Sequence, residues 1–176
     1  AKVQVTGFKS ITNRFGTVKI RSNASQNGVD TYGSADCSGL GVAPDVKNTA
    51  KIVLTSQVNI SNPNGVIEGR YVYINSAINK LDVYSYGYAK GSGLGANIDS
   101  MNDLDTKLNS SVSVSGITII GHDGAIINAS TSPDYLDANI HTDARVQLNA
   151  IGDAFAKSKV VTAESAVVTV SNLTYK

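Results

Sequence analysis

A five-residue pattern, Val, any residue, Val or Ile, Ser or Thr, then Gly or Asn, occurs four times in this chain. It runs Val3-Gln4-Val5-Thr6-Gly7, Val58-Asn59-Ile60-Ser61-Asn62, Val112-Ser113-Val114-Ser115-Gly116 and Val168-Thr169-Val170-Ser171-Asn172. Successive copies start 55, 54 and 56 residues apart. Spacing this even marks a repeat architecture, in which each unit buries its apolar face only against its neighbours.

Each copy reads as a strand that ends in a turn. Two β-branched residues at i and i+2 point to one face and the polar residue between them to the other. Gly or Asn then admits the positive φ of a sharp corner. Stacking such units places Val3, Val58, Val112 and Val168 in one column and Val5, Ile60, Val114 and Val170 in another.

Between the copies the same signals persist. The first unit alternates at Thr17–Arg21 and Lys51–Leu54, with turn-forming residues at Asn23, Asn27-Gly28 and Ser38-Gly39-Leu40-Gly41. The second alternates at Tyr71–Ile74 and Leu81–Tyr86, and its Ser92-Gly93-Leu94-Gly95 repeats residues 38–41 at an offset of 54. In the third unit Leu136-Asp137 matches Leu81-Asp82, a pair with no clean counterpart in the first, and Ala150-Ile151-Gly152 replaces the Gly-Leu-Gly turn. Residues 150–163 are the best helical candidate, yet Gly152 and Val160-Val161 favour a strand or coil.

Coils of parallel β-helices take roughly 18 to 28 residues with their corners, so each unit is expected to hold two or three coils. The units span 3–57, 58–111 and 112–167, and a fourth opens at 168–176. The expected fold is all-β, a single right-handed parallel β-helix roughly 30 to 45 Å long at about 4.8 Å per coil. The competing architecture is an antiparallel β-sandwich in which residues 71–74 and 81–86 form a hairpin. Neither end carries an amphipathic helix or polar cap, and no signal peptide precedes Val3, so a segment of a longer rod is expected.

Composition narrows the function classes. The 15 Lys and Arg nearly balance the 14 Asp and Glu, leaving a net charge of +1 and no basic stripe to hold nucleic acid or a membrane surface. No apolar run is long enough for a membrane-spanning helix. Cys37 is the only cysteine, so no internal disulfide forms. The chain has no Trp and only three Phe, but small and β-branched residues abound, which suits a narrow, stacked interior.

The Val-Ser-Val-Ser-Gly strand at 112–116, Leu81-Asp82-Val83, the Ser-Gly-Leu-Gly corner and the run Ala96-Asn97-Ile98-Asp99-Ser100-Met101-Asn102 together resemble repeats of large secreted bacterial adhesins. These include filamentous-haemagglutinin-like and leukotoxin-type filamentous adhesins and autotransporter passengers. The resemblance covers nearly the whole chain and implies a β-helical rod exported by a Gram-negative cell and displayed on its surface. It further implies cell-surface or matrix proteins or glycans as partners, alongside the rest of a longer solenoid, with no cofactor and no shared catalytic residues.

Aromatic residues are the main candidates for contact. Tyr71 and Tyr73 share a strand face opposite Val72 and Ile74, and Tyr84, Tyr86 and Tyr88 share one opposite Leu81 and Val83. Such tyrosines either stack on a sugar or protein partner or form a ladder that stabilises the sheet. A polysaccharide-degrading β-helix instead needs paired acids or an acid with a base, for which Asp99, Asp103 and Asp105, or His122 with Asp123, are the candidates. The Ser100–Asp105 stretch around the former reads as a solvated corner. A phage tail-fibre segment is a third possibility.

Gly91–Gly95 lacks the following helix and Lys-Ser or Lys-Thr of a phosphate loop and reads as a corner. Asp36 beside Cys37, and His141 near Asp143, lack the company of a zinc site; Asp and Asn at corners are oxygen ligands of the kind calcium takes, but the calcium-roll nonapeptide is absent.

Overall fold

The computed structural model describes residues 1–131 and 152–176, with residues 135–146 placed by strand pairing. These residues build β1 (Lys2–Val5), β2 (Ser10–Leu40), β3 (Asp45–Leu94), β4 (Ala96–Ser130), β5 (Tyr135–Val146), β6 (Gly152–Ser171) and β7 (Thr174–Tyr175). The protein is all-β, and every strand pairing among the described residues is parallel.

Pairing joins residues one repeat apart. Val3 lies beside Val58, Val58 beside Val112, and Val112 beside Val168. Each repeat is therefore one hydrogen-bonded layer, and the expectation of two or three short coils per unit is overturned. A coil of 18 to 28 residues would have paired residues at that separation. Among the described residues no ladder joins positions closer than about one full repeat. At about 4.8 Å per layer the stack is only about 15 Å tall.

The hairpin of the antiparallel sandwich is also excluded. Residues 71–74 and 81–86 belong to one strand, β3, and pair in parallel with β2 at 17–20 and at 26 and 29–32. Asn23 does not break β2, whereas Asn27-Gly28 is a bulge between the Gln26 and Val29 pairings, with Gly28 at φ 66°. That insertion is why the first unit has no clean match to Leu81-Asp82. The latter does align with Leu136-Asp137. Gly152 opens strand β6, which covers most of the helical candidate at 150–163; residues 150 and 151 lie outside the described residues.

The fifth motif position behaves as its chemistry requires at Gly7, Gly116 and Asn172, with φ of 70°, 69° and 50°. In the second unit the positive φ moves from Asn62 to Asn64 (φ 67°). Pro63 is the reason, because a residue preceding proline is driven to extended conformations.

Three segments of the middle layer, around Val58-Ile60, Ile67 and Val72-Ile74, enclose one apolar cluster with Val112, Val114, Ile117 and Ile119. Beyond it the outgoing run of β3 and the returning run that follows Gly95 face each other. Ile78, Leu81 and Val83 meet Leu104 and Leu108, and Ala89 meets Ala96 and Ile98. Of the motif columns, Val58, Ile60, Val112 and Val114 are buried, whereas Val168 and Val170 on the outermost layer are each 44% exposed.

Several polar groups inside the fold-back are matched across it, although the buried Ser100 Oγ has no hydrogen-bond partner among the described residues. Ser110 Oγ donates to the Ser76 carbonyl at 2.8 Å and lies 3.0 Å from Ser76 Oγ, and Ser56 meets Ser22 in the same way one layer below. In the next layer the register puts Ala129 and Ala166 at these positions, so both hydroxyls disappear together. Asn48 similarly donates to the Tyr86 carbonyl at 2.6 Å, and a Cβ on facing Gly33 would come within 2.4 Å of the Asn48 amide oxygen.

Candidate binding face

The outward face of the outgoing run carries all five candidate tyrosines. Period-2 alternation sends Val72, Ile74, Ser76 and Ile78 inward and Tyr71 and Tyr73 outward. Strict continuation would then turn Leu81 and Val83 out. An irregularity resets the phase: Ala24 pairs with Ile78, but Ser25 pairs with Lys80. Leu81 and Val83 consequently return to the core, and Tyr84, Tyr86 and Tyr88 face out.

One shared face does not make one patch. Tyr71 and Tyr73 lie 6.2 Å apart between ring centroids. Tyr84 follows eleven residues after Tyr73, roughly 35 Å along an extended chain. At the distant group Tyr86 stacks on Tyr32 of the layer below, with centroids 5.2 Å apart and an interplanar angle of 9°. Tyr32 itself is 71% exposed. Sequence reasoning missed it, although its 54-residue offset from Tyr86 was a usable signal.

Asp99, Asp103 and Asp105 occupy the outward face of the returning run. They are not in a corner: Ser100–Asp105 lies within β4, with Ser100, Asn102 and Leu104 buried between them. Composition alone suggested a turn, but Ile98, Leu104 and Leu108 supply the inward alternation that holds a strand there. Asp103 and Asp105 line an open cleft of about 330 Å³ with Thr49, Leu104, Lys159 and Val161. Lys159 pairs in register with Asp103, and Lys51 with Asp105.

His122 and Asp123 do not act on one another. Both sit at a bend where the layers differ in length: Arg14-Phe15-Gly16, Arg70 and His122-Asp123 are successive insertions between paired residues. Glu68 accepts from Arg14 Nε at 2.9 Å and lies 3.2 Å from His122 Nε2, while Arg70 pairs with Asp123. Burial works to raise the Glu68 carboxyl pKa, but the hydrogen bonds and charges of His122 and Arg14 outweigh it and hold it below the ordinary value. Asp123 raises that of Arg70 through its hydrogen bond and charge.

Among the described residues no three His, Cys, Asp or Glu side chains gather as a metal site. Asp36 pairs with Lys90 at 3.7 Å, while the half-exposed Cys37 stands apart from any disulfide. The side chains of His141 and Asp143 lie outside the described residues. The Ser-Gly-Leu-Gly segments stack in register, Ser38 to Leu40 on Ser92 to Leu94, with Gly41 and Gly95 completing the corner at φ 65° and 72°. No helix among the described residues is long and apolar enough to cross a membrane. No protein-family model matches the chain, and no match is found among curated proteins or solved structures.

Proposed function

We propose that the chain is a non-enzymatic β-solenoid segment of an extracellular bacterial adhesin or filament, a parallel β-helix with one coil per repeat. The observation that carries this reading is the parallel register between equivalent residues of successive repeats, from Lys2 on Gln57 to Tyr175 on Ile119. Such stacking presents equivalent side chains in columns and grows in one dimension, by about 4.8 Å per repeat. Its work is to give stiffness through stacked backbone bonds and buried Val and Ile rows, and contact through outward Tyr, Asn, Ser and Thr. Its partners are host, matrix or neighbouring-cell surfaces, and its bacterial-surface location follows from the family resemblance.

A polysaccharide-degrading enzyme is the second reading, favoured by the cleft that holds Asp103 and Asp105. The two separate in one assay on immobilised, labelled glycans and matrix proteins, with retained ligand and released soluble product read from the same wells. Retention without product is expected. Product formation that is lost in Asp103→Asn and Asp105→Asn would overturn the non-enzymatic reading.

A further inference from the structure

The outward face of the outgoing run is electrically uneven. Arg14 and Arg70 at the bend are paired to Glu68 and Asp123, and farther along Lys80 meets Asp82 and Lys90 meets Asp36. Between these groups, Lys19 and Arg21 project from β2 as two exposed cations without an ion pair among the described residues. The register sets Lys19 beside Tyr73 and Arg21 beside Asn75, and continues from Tyr73 to Ile126 and from Asn75 to Asn128. These two columns contain no carboxylate.

All of these side chains but Lys19 line a hollow of about 200 Å³, formed by Arg21, Tyr73, Asn75, Ile126 and Asn128 with the edge of Ile74. Asn128 Nδ2 donates to Asn75 Oδ1 at 3.3 Å, which fixes the two amides relative to each other. The remaining Asn75 N–H groups and the Asn128 carbonyl oxygen stay available for a ligand, since each amide has two donors and an acceptor. Tyr73 and Ile126 add apolar surface, and Arg21 offers a planar fork matched to a carboxylate.

We propose that this hollow is a subsite for a carboxylate-bearing sugar residue of an acidic polysaccharide. The carboxylate pairs with Arg21 while Lys19 adds charge; the ring lies against Tyr73 and Ile126; and its hydroxyls exchange hydrogen bonds with Asn75 and Asn128. A hydroxyl both donates and accepts, as this amide pair does. A purely anionic chain without rings uses the cations but leaves the aromatic and amide groups idle. The assignment rests on the reading of the outward face as a contact surface and specifies its ligand class.

The test uses the whole chain and four immobilised probes: a polyuronate, the same polymer with its carboxyl groups reduced to alcohols, polyglutamate, and a neutral glucan. Retention on polyuronate above all three others is expected. Arg21→Gln and Tyr73→Ala should each weaken it about tenfold, while Lys47→Gln on the opposite run leaves it unchanged. Melting curves establish that all three variants are folded. Equal retention on polyuronate and its reduced form, or on polyglutamate, overturns the subsite, as does polyuronate binding indifferent to Arg21→Gln. If polyuronate is not retained while another glycan or matrix protein is, the subsite fails and the adhesin reading survives. If nothing is retained from either panel, both fail.

Discussion

The Ser76–Ser110 pair across the fold-back offers an asymmetric test of how the two runs are joined. Both side chains are buried, and Ser110 Oγ reaches the Ser76 carbonyl at 2.8 Å and Ser76 Oγ at 3.0 Å. Removing Ser76 Oγ leaves Ser110 its carbonyl acceptor, so Ser76→Ala should cost about 0.5–1 kcal/mol. Ser110→Ala instead strips the partner from a buried Ser76 hydroxyl. A lost hydrogen bond together with an orphaned polar group should cost about 2–3 kcal/mol. The double variant reproduces the Ala129 and Ala166 of the next layer, leaves no orphaned hydroxyl, and should cost about 0.5–1 kcal/mol. The double variant is thus more stable than Ser110→Ala alone, with a coupling of about 2–3 kcal/mol. Urea titrations followed by circular dichroism measure all three. Additive costs, or a Ser76→Ala effect as large as that of Ser110→Ala, would refute the hydrogen bond across the fold-back.

Three further outcomes are expected. Gly93→Ala should destabilise by roughly 3 kcal/mol, well beyond Gly39→Ala, because a Cβ at Gly93 comes within 1.8 Å of the Gly39 carbonyl oxygen whereas one at Gly39 meets only Val42 at 3.6 Å; equal melting temperatures would count against the stacked corner. Val114→Asp buries a carboxylate in a fully enclosed column, and the lost apolar burial of about 2 kcal/mol plus several for the charge rivals a typical total stability. It should abolish the cooperative melt that Val170→Asp, on the 44% exposed outer layer, retains; an unchanged melt for Val114→Asp would remove the stacking account. Because the folded Glu68 pKa is lowered, its stabilisation is present above the ordinary value of 4.5 and disappears as pH falls through the folded value. Glu68→Gln should therefore melt below the parent at neutral pH and converge with it in acid, and a pH-independent gap would contradict the His122 and Arg14 contacts.

Lys2–Val5 and its three copies show how far local pattern reaches. β-branched residues two apart require one buried face, and Gly7, Gly116 and Asn172 require a turn, whatever the rest of the chain does. The even spacing of those copies likewise announced stacking of equivalent valines, and alternation placed Tyr71, Tyr73, Tyr84, Tyr86 and Tyr88 opposite the core residues. Of the proposed subsite, only Tyr73 was singled out in this way. Arg21, Asn75 and Asn128 looked like ordinary surface residues because they lie more than fifty positions apart and meet only through the inter-layer register.

What the chain's local chemistry determined was therefore strand, turn and repeat period, since each depends on residues within a few positions of one another. The number of layers per repeat was a tertiary decision. A sequence of strands separated by Gly and Asn is compatible with several short coils or one long one, and the choice falls to partners across the interior. Ser76 finds Ser110, Asn48 finds the Tyr86 carbonyl, and Gly33 leaves room for Asn48. Those matches join positions 15 to 38 residues apart, and satisfying these polar groups favours the single fold-back in which these partners meet.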